Sequence, residues 1–169
     1  VVRANVAFDA AQALAGSQHL DAAITVYKRA RRLAPGEARY ALFLGRAYLR
    51  LAQAEEEHPE VLLREAEEVL AETRRLNPLD PEIDANLGQV YWYRAVLLEH
   101  GPQETVERLE EALRYYRRAV ERSPIVQGDL LQEPIVAAHM ELAETYREMG
   151  RTDEAIEQAR AAAALAPAA

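Results

Sequence analysis

The sequence predicts an all-α fold, an α-solenoid of four antiparallel helix hairpins, on three observations. Amphipathic runs with apolar residues at helical spacing recur along the chain. Four of these runs are each followed by a proline, Pro35, Pro78, Pro124 and Pro167, at intervals of 43, 46 and 43 residues. Proline has no N–H to donate and pushes its predecessor out of the helical region, so each marks a place where a helix stops. Third, counting back from every proline recovers one pattern of small residues, with Ala23, Ala66, Ala112 and Ala155 twelve residues before it and Ala30, Thr73, Ala119 and Ala162 five before. An apolar supply of 33 Ala with only three Phe and Trp suits closely spaced helices better than a thick sheet core.

The first hairpin, residues 4–37, has a weak first-helix signature, Ala10-Ala11-Gln12-Ala13-Leu14, followed by Ala23, Tyr27 and Ala30 on the second helix. The second, residues 38–80, reads Leu44-Gly45-Arg46-Ala47-Tyr48 and then Ala66, Leu70 and Thr73. Its extra length falls around Ala54-Glu55-Glu56-Glu57-His58-Pro59, between the two helices. The third, residues 81–126, repeats the signature as Leu87-Gly88-Gln89-Val90-Tyr91, then Ala112, Tyr116 and Ala119. Its excess falls around Leu97 to Glu107, with Gly101-Pro102 as the turn, so both inner hairpins are extended. The stretch Ile125 to Gln132, containing Gly128, is expected to be an irregular connection. The fourth hairpin, residues 136–169, carries Leu142-Ala143-Glu144-Thr145-Tyr146 and then Ala155, Ala159 and Ala162. One hairpin cannot bury its apolar face alone, so residues 1–169 are read as one stacked domain. Gly costs about 1 kcal/mol relative to Ala inside a helix, so Gly45 and Gly88 suggest close approach of another backbone, completed by small residues on the facing helix.

A Leu-Gly-x-x-Tyr helix, then a helix with small, aromatic and small positions, then Pro, resembles the unit of the tetratricopeptide-repeat family. The resemblance covers nearly the whole chain and implies a right-handed superhelix whose first helices line a concave, partner-binding side. Carried over by repeat register, it assigns that side Arg39, Leu42, Arg46, Leu49 and Arg50 in the second unit, Ala85, Asn86, Gln89, Trp92 and Tyr93 in the third, and Met140, Glu141, Glu144, Arg147 and Glu148 in the fourth. The implied groove passes from a basic end through an aromatic middle to a mostly acidic end, which suits a protein or an extended peptide of mixed charge. Trp92 and Tyr93 are its candidate anchors, because aromatic side chains dominate interface energetics, although Trp92 serves equally well as packing. Arg39, Arg46 and Arg50 share one helix face and suit a carboxylate, or else form a solvated, salt-bridged face. The family's carboxylate-clamping members need Lys and Asn where this chain has Phe8 and Gln12, which excludes that specificity.

Composition points the same way. A net charge of −8 and a pI near 5.1 argue against binding to nucleic acid or to anionic membranes. No run approaches the apolar length of a membrane span, so no direct membrane insertion is expected. The absence of Cys removes disulfides, thiolate ligands and thiol nucleophiles without fixing a compartment. His19, His58, His100 and His139 are scattered, and the two Ser, Ser17 and Ser123, stand at helix ends. Paired carboxylates such as Glu67-Glu68 and Glu110-Glu111 read as solvated helix faces, so neither catalysis nor a metal or other cofactor is expected. Arg outnumbers Lys by 19 to 1, a composition typical of a GC-rich bacterial genome, and the start Val-Val-Arg reads as a piece of a longer protein.

Two other readings accompany the interaction module. Asn77-Pro78-Leu79-Asp80-Pro81 with Asp84-Ala85-Asn86-Leu87-Gly88, then Tyr115-Tyr116-Arg117-Arg118-Ala119 before Ser123-Pro124, resembles repeat segments at the C-terminus of bacterial O-antigen polymerase or ligase proteins. That resemblance spans about one hairpin and implies catalysis in membrane segments outside this chain. Third, the stretch Ala161 to Pro167 forms no polar cap, and an uncapped end suits pairing into a homodimer.

Overall fold

The computed structural model describes residues 2–54 and 58–165. Among the described residues lie eight helices and no strand: α1 (Val2–Gly16), α2 (Leu20–Leu33), α3 (Ala38–Ala54), α4 (Pro59–Leu76), α5 (Pro81–Leu97), α6 (Pro102–Arg122), α7 (Pro124–Glu148) and α8 (Thr152–Leu165). Consecutive helices pair into four hairpins, α1 with α2 through to α7 with α8, which is the all-α repeat that the proline spacing predicts. The chain forms two compact units, Val1–Leu79 holding α1 to α4 and Asp80–Ala169 holding α5 to α8.

Proline sets most helix boundaries. Pro59, Pro81, Pro102 and Pro124 open α4 to α7, where the missing N–H has no intrahelical partner to lose. The Asp80 carboxylate caps α5 by accepting the Glu82 N–H at 2.9 Å. α2 and α4 end before Pro35 and Pro78 as expected, closed by the Ala34 and Asn77 N–H groups on the Ala30 and Thr73 carbonyls. Two other turns share one geometry. Gly150 (φ 73) lets the Arg151 N–H reach the Tyr146 carbonyl at 2.8 Å, and Gln18 (φ 67) lets the His19 N–H reach the Leu14 carbonyl at 3.0 Å.

The stretch Ile125 to Gln132 is not an irregular connection. It forms the first turns of α7, which runs unbroken to Glu148, so the fourth hairpin begins at Pro124 rather than at residue 136. Pro124 both ends α6 and starts α7, with Ser123 serving as C-cap of one and N-cap of the other. Gly128 and Pro134 each disfavour a helix interior, yet Gln127 and Leu131 are buried, and Leu131 packs with Ala112, Tyr116 and Ala119 of α6. Burial of that face outweighs the local propensity.

The small positions behave as predicted. Ala23, Ala66, Ala112, Ala155, Ala30, Thr73, Ala119 and Ala162 are all buried. Of the positions between them, Tyr27, Leu70 and Tyr116 are buried and Ala159 is exposed. A large side chain faces each of Gly45 and Gly88, and the expected approach of another backbone at a small residue is met at Gly88, by Ala112, and not at Gly45. A Cβ on Gly45 would stand 2.7 Å from Leu70 Cγ and Cδ2, and one on Gly88 would stand 2.6 Å from the Tyr116 ring and 3.2 Å from the Ala112 carbonyl oxygen. Each glycine is the seat for a fully buried side chain of the paired helix, whose burial stabilises the hairpin by roughly 1.5–3 kcal/mol.

Extension of the inner hairpins takes the form of longer helices. α3 and α4 have 17 and 18 residues and α5 and α6 have 17 and 21, against 15 and 14 in α1 and α2, but extension is not confined to the inner hairpins, since α7 in the fourth has 25. Gly101-Pro102 sits at the third hairpin's turn, with Gly101 as N-cap of α6. Glu55, Glu56 and Glu57, expected in the second hairpin's turn, and Pro167, the last of the four stop signals, lie outside the described residues.

Candidate partner-binding faces

In the first unit the first helices of the two hairpins, α1 and α3, border a shallow recess of about 260 Å³ lined by Gln12, Ala15, Tyr27, Phe43, Arg46 and Arg50 among others. Two aromatic rings, Tyr27 and Phe43, line it, and with Phe8 and Tyr40 behind them they form a connected cluster, with Phe8 and Phe43 edge to face at 5.1 Å and Phe8 and Tyr27 at 5.7 Å. Cations cover its faces: the Arg46 guanidinium lies 5.3 Å from the Phe43 ring centre and that of Arg39 4.7 Å from Phe8. Arg50 is exposed and donates a long hydrogen bond of 3.4 Å to the Gln18 amide oxygen. Burial raises the Tyr27 hydroxyl pKa above 10.0, and the nearby Arg50 charge only partly offsets that rise.

The predicted basic set therefore divides. Arg46 and Arg50 border one recess, whereas Arg39 stands apart over Phe8 and Tyr40, with its guanidinium 3.5 Å from the Asn5 side-chain oxygen. Leu42 and Leu49 are buried and belong to the core, because helix α3 packs on both α2 and α4 and only a narrow stripe stays open. Phe43 is a lining residue that the sequence reading omitted. Its position, four residues after Arg39 and three before Arg46, was sufficient to place it on the same stripe.

The second unit places its candidates on α5 and α7, which touch each other. Trp92 is half-buried and packs against two apolar clusters, one with Ala95, Val106, Leu109, Leu142 and Tyr146 and the other with Ala112, Tyr116, Ala119 and Leu131. Its indole N–H is buried with no hydrogen-bond acceptor among the described residues. Tyr93 is buried beside it, ring centres 5.3 Å apart, and its hydroxyl accepts the Gln89 amide N–H at 3.3 Å. Asn86 is buried too and donates to the Glu82 carbonyl one turn back. Packing thus claims Asn86, Tyr93 and most of Trp92, which leaves Gln89 and the edge of the indole open.

Met140, Glu141, Glu144, Arg147 and Glu148 on α7 are all exposed. Glu144 and Arg147 pair with each other, the Arg147 Nε donating to Glu144 Oε2 at 2.9 Å. That bond holds the Glu144 carboxyl below and the Arg147 guanidinium above their ordinary ranges. The residues quoted for the glycan-polymerase resemblance build the α5–α6 hairpin itself: Asp80 caps α5, Pro81 opens it, buried Asp84 pairs with Arg122, Gly88 seats Tyr116, and Tyr115 stacks on Tyr91 at 5.4 Å.

Helical hairpins with small residues at their contacts, a glycine seat in each inner pair and polar stripes along the first helices define a helical-repeat protein. The family model of the tetratricopeptide repeat matches residues 8–60, 62–124 and 104–169, and the chain belongs to this family, whose repeats act as protein-binding scaffolds. Among solved structures it is similar to TTC0263, a thermophilic TPR protein of Thermus thermophilus, at 22% identity and TM-score 0.61 over 97% of this chain and 92% of that one. It is similar also to MamA of Desulfovibrio magneticus RS-1, at 19% identity and TM-score 0.61 over 96% of this chain and 75% of that one. MamA of strain MSR-1 gives 19% identity and TM-score 0.61 over 96% and 76%. These likenesses carry the fold. No curated protein matches the sequence. Among the described residues, no helix is long and apolar enough to cross a membrane.

Proposed function

We propose that this chain is a binding module for a protein or an extended peptide and catalyses no reaction of its own. Contacts to the partner are made by the open stripes of the first helices: Gln12, Phe43, Arg46 and Arg50 in the first unit, and Gln89, Trp92, Met140 and Arg147 in the second. The observation that carries this reading is the recess between α1 and α3, where half-exposed Phe43, buried Tyr27 and the Arg46 and Arg50 guanidinium groups meet. Aromatic area with little rotamer entropy, next to Arg forks that bond carboxylates or backbone carbonyls, is the combination that concentrates binding energy at interfaces. The experiment is affinity capture of the natural partner by the wild type and by an Arg46→Ala, Arg50→Ala variant, with helicity monitored. Capture falls by about tenfold if each Arg contributes a charge-assisted bond. Unchanged capture by a folded double variant removes the α1–α3 recess from the interface.

A further inference from the structure

The first unit contains a second recess, on the side of its second helices. It lies between α2 and α4, measures about 380 Å³, and is bordered by Lys28, Arg31, Arg32 and Pro35 with Tyr48, Glu65 and Val69. α2 supplies the charge, since Lys28-Arg29-Ala30-Arg31-Arg32 places four cations in five residues. Lys28 is the chain's one lysine, lies one turn before Arg32 on the same face and stands 5.4 Å from the Tyr48 ring centre. Tyr48 donates its hydroxyl to Glu65 at 2.9 Å, and Arg31 pairs with Glu72. Glu72 is thus engaged by Arg31, and Glu65 by the Tyr48 hydroxyl and the charge of Lys28, which also bonds to Tyr48, while Arg32 has no ion-pair partner among the described residues. Like charges four residues apart on a helix disfavour each other, and an anion seated between them relieves that repulsion. Apolar surface from Pro35, Leu44 and Val69 adjoins the cations.

We propose that this α2–α4 recess is a peptide-binding site separate from the first-helix stripes, and that it takes an acidic segment, a carboxylate lying between Lys28 and Arg32 and a neighbouring apolar side chain lying on Pro35 and Val69. The second unit has a recess at the corresponding repeat positions, where Arg117, Val120, Glu121 and Pro124 stand for Lys28, Arg31, Arg32 and Pro35. There one cation gives way to an apolar residue and another to a carboxylate, so the acidic specificity belongs to the first unit alone.

The test is fluorescence anisotropy of a short labelled peptide of alternating glutamate and leucine, titrated with the full chain and compared with its lysine–leucine counterpart. The acidic peptide binds and the basic one does not. Lys28→Glu with Arg32→Glu weakens binding by about tenfold, whereas Arg29→Glu with Arg75→Glu, an equal change in net charge at exposed positions outside the recess, stays within about twofold. Should the first pair reduce helicity, Lys28→Gln with Arg32→Gln replaces it. Arg46→Ala with Arg50→Ala leaves the affinity unchanged, which separates this site from the α1–α3 recess. Failure of the acidic peptide to bind, equal weakening by both charge-reversal pairs, or loss of binding in the Arg46, Arg50 variant overturns the proposal, and the last of these outcomes would leave the first-helix reading standing.

Discussion

Replacing Gly88 with Ala sets two opposed effects against each other. Ala is favoured over Gly in a helix interior by about 1 kcal/mol, which alone would stabilise α5. The added methyl, however, would stand 2.6 Å from two ring carbons of Tyr116 and 3.2 Å from the backbone oxygen of Ala112. Tyr116 is only 2% exposed and is held by Ala112, Ala119 and Leu131, so the ring has nowhere to retreat, and α6 must shift as a body. Overpacking of this kind costs about 1–3 kcal/mol, with the upper part of that range expected where a backbone atom is involved. The net expectation is a loss of about 1–2 kcal/mol. Gly128 in α7 provides the contrast: among the described residues no atom beyond its own stretch of helix lies within 4 Å of its would-be methyl, so Gly128→Ala should gain about 0.5–1 kcal/mol. Urea unfolding followed by circular dichroism measures both. If Gly88→Ala stabilises the protein as Gly128→Ala does, the seat for Tyr116 is not a tight contact and the reasoning fails.

Two further expectations follow from buried polar groups. Arg122→Ala removes the guanidinium that pairs with the fully buried Asp84 carboxylate and should cost about 3 kcal/mol, read as a shift in the urea midpoint; a shift near zero would mean that water reaches Asp84. At alkaline pH, Tyr27, Tyr48, Tyr93, Tyr116 and Tyr146 all have hydroxyl pKa values raised above 10.0, chiefly by burial. A raised folded-state value contributes stability that is fully present below the unfolded pKa and is lost as pH climbs from there through the folded one. Stability should therefore decline above about pH 10, with these tyrosines ionising as helicity disappears. Ultraviolet titration of tyrosinate alongside circular dichroism checks the order, and complete ionisation of a chain that keeps its helices would contradict it.

The parts of this fold that sequence made legible are those where one residue type has one physical role. Proline at Pro35 and Pro78 stops a helix because it removes a donor, and alanine at the hairpin contacts is small wherever helices approach. Legibility failed where local and tertiary preferences conflict. Gly128 and Pro134 argue for a break in α7, but the burial of Leu131 on α6 decides otherwise, and that contact is not visible in a local window. The candidate site was legible in part for a similar reason. Helical register places Arg46, Arg50 and Phe43 on one stripe, yet it cannot show that Leu42, Asn86 and Tyr93 are covered by neighbouring helices, since coverage depends on which helices pack and at what angle. The α2–α4 recess lay outside the family's expected groove and emerged only when helices distant in sequence were brought together.

The single-residue junction at Ser123 has a practical consequence. The Ser123 N–H closes α6 on the Ala119 carbonyl, while its own carbonyl accepts the Gln127 N–H of α7 at 2.9 Å, so one residue carries both ends with no spare chain between them. Fraying of α6 at its C-terminus must pull on the first turn of α7, and the third and fourth hairpins cannot be separated without breaking both. A protease site, fluorophore or affinity tag inserted at this point would split the second unit, whereas residues 98–101 place four non-helical residues between α5 and α6, with Glu99 exposed, to receive it. Modular as the repeats are in sequence, these two are spliced in mechanics, and the unit to transplant into another scaffold is the pair.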